Sequence, residues 1–209
     1  LLLQAPIAIN GTSSIAGFGQ ITIEGSSTVS GTGDFIVNDS NSNIQTLSST
    51  TTIPNLKIQK SSSGKLVLAT DILVNDIDFL GSNFTLQVNS GVDFDVNNSY
   101  SIPSNTNIVI NQGGRIRVPS GDTILLAGGS IKSTGVIDTN LNVNPGYTTS
   151  QAHIGSISGS GNISVQATSG VLDLTGIHID RLDSNGLQIT GTTSVANFNG
   201  VHLTNTQIA

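Results

Sequence analysis

The stretch that decides the fold is Val92-Asp93-Phe94-Asp95-Val96, which is followed 22 positions later by Gly114-Arg115-Ile116-Arg117-Val118. In both segments apolar residues alternate with charged ones, and this period of two is typical of a β-strand with one buried face. If the second strand stacks on the first in register, each Asp lies beside an Arg on the outer face. Such cross-strand pairs stabilise a sheet by ~0.2–1 kcal/mol each. We therefore predict that the chain is wound so that these strands are neighbours.

Apolar residues return at a similar interval along most of the chain. A fixed period in this range indicates a chain wound into stacked, similar units. Turn glycines keep the same interval, because Gly91, Gly113 and Gly135 each precede an apolar strand at steps of 22. The apolar positions, at steps of 23, 26, 24, 23, 23, 23 and 24, are Phe35, Ile58, Phe84, Ile108, Ile131, Ile154, Ile177 and Val201.

These patterns predict an all-β fold, a right-handed parallel β-helix (β-solenoid) with about 22–24 residues and three short strands per coil. We expect residues 1–209 to form a single solenoid segment of a longer chain, with less regular coils over 1–83 and regular coils over 84–209. Asp138, beside Ile137, should continue the charged row of Arg115 and Arg117. The predicted strands are 108–110, 115–118 and 123–126 in one coil, then 130–132, 136–138 and 141–143 in the next.

Composition excludes several classes of protein. The chain has 13 acidic residues against 7 Lys and Arg, a net charge of −6, so no basic face for a nucleic acid can be assembled. It has no Cys, which excludes disulfides and thiolate metal sites. No stretch approaches the roughly 20 apolar residues of a membrane helix. With 36% hydrophobic and 10% charged residues, the composition is also the reverse of a disordered chain.

Two pairs of carboxylates are candidates for chemistry. Asp76 and Asp78, and Asp93 and Asp95, are each spaced i, i+2, so both members of a pair should point outward from one strand. Oxygen-rich outer faces can bind Ca²⁺, and an acidic pair can serve a glycoside hydrolase. Because Asp93 and Asp95 have arginines as expected neighbours, we favour structural or solvated roles, with Ca²⁺ binding as the alternative.

Histidines near the end of the sequence form the other candidate cluster. His178 and His202 each follow a core position in adjacent coils, and Asp180 shares the face of His178. Such a cluster could ligate a transition metal or supply a general base. His153 precedes its core residue and should lie at a different position, so no third histidine is expected to join. We expect a surface ladder, and we assign no catalytic residue.

A resemblance to known repeats appears at Ile53-Pro54-Asn55-Leu56-Lys57-Ile58 and the following segment 63–74. These residues resemble the repeats of large secreted, adhesin-like surface proteins of Bacteroidetes-type bacteria. Segments 176–179 and 200–205 are similar to coils of pectate-lyase-like β-helices. The resemblance implies a secreted or cell-surface location in a bacterium, with adjacent domains of the same long chain, cell-surface glycans or other cells as partners.

These observations favour a non-enzymatic structural or adhesive rod that needs no cofactor. The alternative is a carbohydrate-active or carbohydrate-binding β-helix, similar to polysaccharide lyases, with an outward-facing groove over residues 93–138 or 178–204. Only Tyr100 and Tyr147 could stack against sugars in such a groove. A stalk stiffened by Ca²⁺ is a third possibility. Because neither Leu1-Leu2-Leu3 nor Gln207-Ile208-Ala209 resembles a cap, we expect neighbouring coils at both ends.

Overall fold

The chain is a parallel β-solenoid, as the sequence predicts, and it has about six turns. The computed structural model describes residues 2–3, 7–8, 12–16, 19–23, 29–30, 33–39, 44–60, 63–137, 151–159 and 161–205. Every strand pairing among these residues is parallel. Within this part of the chain there is no helix, and therefore none long and apolar enough to span a membrane.

The strands alternate with short turns. They are β1 (Leu2–Leu3), β2 (Ile7–Ala8), β3 (Thr12–Ala16), β4 (Gly19–Ile23), β5 (Val29–Ser30), β6 (Asp34–Asp39), β7 (Ile44–Ser49), β8 (Ile53–Lys60), β9 (Lys65–Leu68), β10 (Ile72–Phe79), β11 (Phe84–Val88), β12 (Asp93–Val96), β13 (Tyr100–Pro103), β14 (Thr106–Asn111), β15 (Arg115–Val118), β16 (Thr123–Thr134), β17 (Ala152–Ser156) and β18 (Ile163–Asn205).

Successive coils place these strands in three ladders, except for β2 and β5, which pair with each other in a separate two-stranded sheet. The first ladder runs β3, β6, β8, β10, β12, β15 and β17, and continues into residues 177–179 of β18. The second joins β13, the first half of β16 and the start of β18. The third runs β1, β4, β7, β9, β11 and β14, and ends in the remaining part of β16 and residues 171–173 of β18.

The coil length agrees with the sequence period. Phe94 lies 22 residues after its partner Ile72, and Ile131 lies 23 after Ile108. Inward positions along each strand are buried, and Phe94 has no exposed surface. Burying each such side chain stabilises the fold by roughly 1.5–3 kcal/mol. The bore of the solenoid is therefore a continuous apolar core.

The predicted columns of apolar residues are correct only in part. Ile108 and Ile131 are neighbours, as expected. Ile58, however, pairs with Phe79 in the first ladder, whereas Phe84 belongs to the third. Since each coil contains several inward positions, a chain-wide interval of about 23 residues selects residues from different ladders.

A second correction concerns the coil after β16. Ile137 was expected above Ile116, but Ile154 occupies that position, 38 residues after Ile116. Ile137 lies outside the strands and is 38% exposed. Residues 136–137 are therefore not part of a strand, and segment 141–143 and Asp138 lie outside the described residues. Strand β16 ends at Thr134, and the first ladder resumes at Ala152, where β17 pairs directly with β15.

The last strand, β18, is too long to be straight. Its 43 residues would extend about 140 Å, so the strand must turn the corners of the rod while its hydrogen bonding continues. At one corner Gly176 has φ 56°, and its missing Cβ leaves room for the backbone of Gly135. This winding brings residues 177–179 back onto β17.

Candidate functional site

The outward positions of the first ladder carry most of the charged and titratable side chains. Asp93 pairs in register with Arg115, Arg115 with His153, and His153 with His178. The ring of His202 continues this row from the next coil. We call Asp93, Asp95, Arg115 and Arg117 the ion-paired end, and His153, His178, Asp180 and His202 the histidine end.

The ion-paired end confirms the predicted contact between aspartates and arginines. Arg115 Nη2 donates to Asp93 Oδ2 at 2.7 Å, and its Nε contacts Asp93 Oδ1. Arg117 Nε and Nη2 donate to the two oxygens of Asp95, both at 2.7 Å. Arg117 Nη2 also lies 2.7 Å from Asp93 Oδ2. Arg117 therefore bridges both carboxylates, and both arginines bind in the bidentate geometry that makes such pairs strong.

The ion-paired end is more buried than an outward position on a strand suggests. Asp93, for which structural or solvated roles were expected, is only 6% exposed. Two guanidiniums cover its carboxylate, and its own backbone N–H donates to Asp71 Oδ1 at 2.8 Å. Burial raises the pKa of Asp93, and this outweighs the lowering by Arg117 and Arg115. The arginines act mainly to compensate a desolvated carboxylate.

An open cleft of about 270 Å³ adjoins the ion-paired end. One wall carries the hydroxyl side chains of residues 49–52, and the other carries Asp71, Asp93, Asp95 and Arg117. Its polar groups are mostly paired already, because Arg117 is committed to two carboxylates. Of the residues that line it, Asp93, Asp95 and Arg117 belong to the region 93–138 in which the sequence suggested a carbohydrate groove, and the others precede it.

At the histidine end three imidazoles stack edge to face through successive coils. The ring centroids of His153 and His178 are 5.8 Å apart, and those of His178 and His202 are 6.0 Å apart. His153 Nε2 lies 3.1 Å from Asp180 Oδ1, and His178 Nε2 lies 3.1 Å from Thr204 Oγ1. His178 is 2% exposed and His153 7%. The expected surface ladder is thus largely buried.

The prediction that no third histidine joins the cluster is wrong. It aligned Ile154 with Ile177, whereas Ile154 pairs with Ile179 and His153 with His178. The chain carried a signal for the correct register: His153-Ile154, His178-Ile179 and His202-Leu203 each place a histidine directly before an apolar residue.

The environment keeps His178 neutral at physiological pH. The pKa of His178 is lowered to about 4, mainly by burial and also by the neighbouring His153 and His202, while Asp180 opposes the shift. Burial by itself raises the pKa of Asp180, but the contact with His153 and nearby positive charge prevail, so that its pKa is lowered overall. Asp180 is therefore the anionic member of this end.

Gly155 creates the space in which Asp180 meets His153. A Cβ at position 155 would lie 2.7 Å from His153 Cε1 and 2.8 Å from His153 Nε2, and would overlap Asp180 Oδ1. This position is the outward neighbour of Arg117 in register, where a larger side chain would otherwise be expected. Glycine is required here for room and not for backbone conformation.

Asp76 and Asp78 lie apart from the ion-paired and histidine ends. Asp76 Oδ1 accepts a hydrogen bond of 2.6 Å from Asn98 Nδ2. Asp78 Oδ2 is 3.5 Å from Lys57 Nζ, and its side chain is 58% exposed. Both carboxylates bind neighbours in adjacent coils.

The described part of the chain contains no arrangement of side chains that could form the metal sites considered from the sequence. No three of its His, Asp or Glu side chains are arranged so that they could hold a metal ion. This applies to the acidic pairs considered for Ca²⁺ and to the group of His178, Asp180 and His202 considered for a transition metal. Ca²⁺ binding stays a prediction of the sequence.

The chain matches no protein-family model, no curated protein and no solved structure. Its class is therefore defined by its own architecture, a parallel β-solenoid with an ion-paired and a histidine-rich region on one outer face.

Proposed function

We propose that this chain is a non-enzymatic structural or adhesive rod segment of an exported bacterial cell-surface protein. The observation that carries the proposal is that outward polar side chains are paired with the coil above or below. The bridging of Asp93 and Asp95 by Arg117 is the strongest case. Side chains used in this way join coils along the axis, which suits a load-bearing element.

The same arrangement recurs on other parts of the outer surface. Asn97 Nδ2 donates to Asn75 Oδ1 at 3.0 Å, across 22 residues. Ser130 Oγ donates to Asn107 Oδ1 at 2.7 Å, across 23 residues. Lys65 Nζ donates to Gln87 Oε1 at 3.0 Å. Contacts at one coil's separation reinforce the backbone ladders in the same direction, which supports a mechanical role.

The location and the adhesive role can be tested on cells. Antibodies raised against the chain are expected to label intact cells of the source organism, and mild surface proteolysis should remove that label. The purified chain should bind whole cells or glycans on an array. Labelling that appears only after the cells are lysed would contradict the surface assignment.

The cleft beside the ion-paired end supports a second candidate, a carbohydrate-binding or lyase-like β-helix. Tyr100 is buried in the core and so cannot stack against a sugar. Tyr147 lies outside the described residues. The test is to incubate the chain with acidic polysaccharides, with and without Ca²⁺, and to measure absorbance at 235 nm and reducing ends. We expect no turnover. Activity lost in Asp95→Ala or His178→Ala, but kept in the distant Asp78→Ala, would overturn the rod proposal.

A further inference from the structure

The histidine stack crosses the contact between β17 and the last coils. His153 belongs to β17, while His178 and His202 belong to successive passes of β18. The backbone register there is Ala152 with Ile177, His153 with His178 and Ile154 with Ile179. The stacked rings therefore help to hold residues 177–204 against the rest of the rod.

We propose that the histidine end is an acid-sensitive latch: in mildly acidic medium the buried His178 binds a proton only when residues 177–204 open, so acid loosens these residues while the ion-paired end stays wound. The proposal concerns this chain's own stability and does not depend on the proposed surface role.

The charges around the stack do not compensate added protons. Facing His178 are His153 from β17, His202 from the following coil and Asp180 from its own coil. Arg181 acts on Asp180, and Arg115, which stands in register with His153 on the other side, is already paired with Asp93. Among the described residues, Asp180 is thus the carboxylate beside three imidazoles, and it already contacts His153.

Hydrogen bonding leads to the same conclusion. His178 Nε2 is within hydrogen-bond distance of Thr204 Oγ1, which can act as donor or acceptor. Its Nδ1 is buried and has no hydrogen-bond partner among the described residues. A neutral ring tolerates this arrangement because an imidazole has one nitrogen without a proton. A protonated ring would place a charged donor where no acceptor is present.

The sign of the effect follows from the pKa of His178. In the folded chain it is lowered to about 4, mainly by burial, whereas an unfolded histidine has a pKa of about 6.5. Between these values the unfolded chain binds a proton that the folded chain does not. The contribution of neutral His178 to folding stability is complete above the unfolded pKa. It falls as the pH drops towards the folded pKa. From pH 7.5 to pH 5, His178 alone shifts the folding equilibrium by about 30-fold.

The test is hydrogen exchange by mass spectrometry on the full chain at pH 7.5 and pH 5, corrected for the intrinsic exchange rates. We expect peptides from 177–204 to lose protection about 30-fold at pH 5, and peptides from 84–118 to keep theirs. Equal loss in both regions, or no loss in either, would overturn the latch.

A variant separates the latch from general acid sensitivity. His178→Gln stays uncharged, so the difference in denaturation midpoint between pH 7.5 and pH 5 should shrink clearly, while Asp78→Asn should behave as wild type. An unchanged pH dependence in His178→Gln would contradict the proposal. If that variant does not fold, NMR titration of the His178 ring in the wild-type chain decides: a midpoint below 5 supports the latch, and a midpoint of 5 or above refutes it.

Discussion

The ion-paired end and the histidine end occupy equivalent outward positions of one ladder but use opposite chemistry. In the first, a carboxylate lies in register with a guanidinium, as Asp93 does with Arg115. In the second, a histidine lies in register with another histidine, as His153 does with His178. Because stacking in register repeats each contact from coil to coil, opposite charges stabilise the rod at neutral pH. Like titratable rings stabilise it only while they are uncharged.

The two ends also differ in the kind of substitution that should destabilise them. At the ion-paired end one side chain, Arg117, holds two carboxylates, so loss of a single group leaves others uncompensated. At the histidine end the contacts are ring packing and one carboxylate in a space left by Gly155. The first end should therefore respond most strongly to charge removal, and the second to added volume or added protons.

The largest effect that we expect comes from Asp93→Ala. It removes a carboxylate that is 6% exposed and leaves Arg115 and Arg117 without their shared partner. Breaking a pair of this kind costs several kcal/mol when both partners are buried. Since the arginines are partly exposed, we expect the free energy of unfolding to fall by about 2–4 kcal/mol in urea denaturation.

The matched control is Asp78→Ala, which removes an exposed carboxylate 3.5 Å from Lys57. Its stability should stay close to that of the wild-type chain. Equal effects of the two substitutions would mean that burial does not distinguish the ion-paired end from an ordinary surface pair.

A smaller effect is expected from Gly155→Ala at the histidine end. The added Cβ would overlap Asp180 Oδ1 and lie 2.7 Å from His153 Cε1, so both side chains must move. Overpacking of this kind typically costs about 1–3 kcal/mol. Urea denaturation should show the loss, and NMR should show altered ring signals from His153 and His178.

A double variant tests whether the clash is the cause. Adding Asp180→Ala to Gly155→Ala removes one of the two overlapping groups, so the combined loss should be smaller than the sum of the single losses. Strict additivity would show that Gly155 stabilises the chain by some means other than making room for Asp180.

The sequence was sufficient for the winding and for the ion-paired end, but not for the histidine end. The offset of 22 between Asp93 and Arg115 is short and uninterrupted, so alternation and charge pairing both indicated the correct register. Ile116 pairs with Ile154, 38 residues further on, whereas Ile137 keeps the interval of the sequence but lies outside the strands. Periodicity alone cannot show which of two apolar residues at plausible intervals occupies the next position of a ladder.

The burial of these polar side chains could not be predicted from the sequence either. Alternation correctly assigned Asp93 to the outward set, but its exposure depends on the arginines that fold over it. The same holds for His178, which is covered by histidines from the coils on either side. Outward in a strand therefore does not mean solvated in a stacked sheet.

The smallest effect that we expect is the response of the ion-paired end to salt. Raising the ionic strength from 0.1 to 1 M shortens the Debye length from about 10 to about 3 Å. At pH 7.5 this weakens the ion-paired end, and because Asp93 is buried and its contacts are about 2.7 Å long, we expect a loss below about 1 kcal/mol. Comparing the wild-type chain with the double variant Asp95→Asn, Arg117→Gln isolates this term, because both have the same net charge. An equal response of the wild-type chain and the double variant to salt would contradict this assignment.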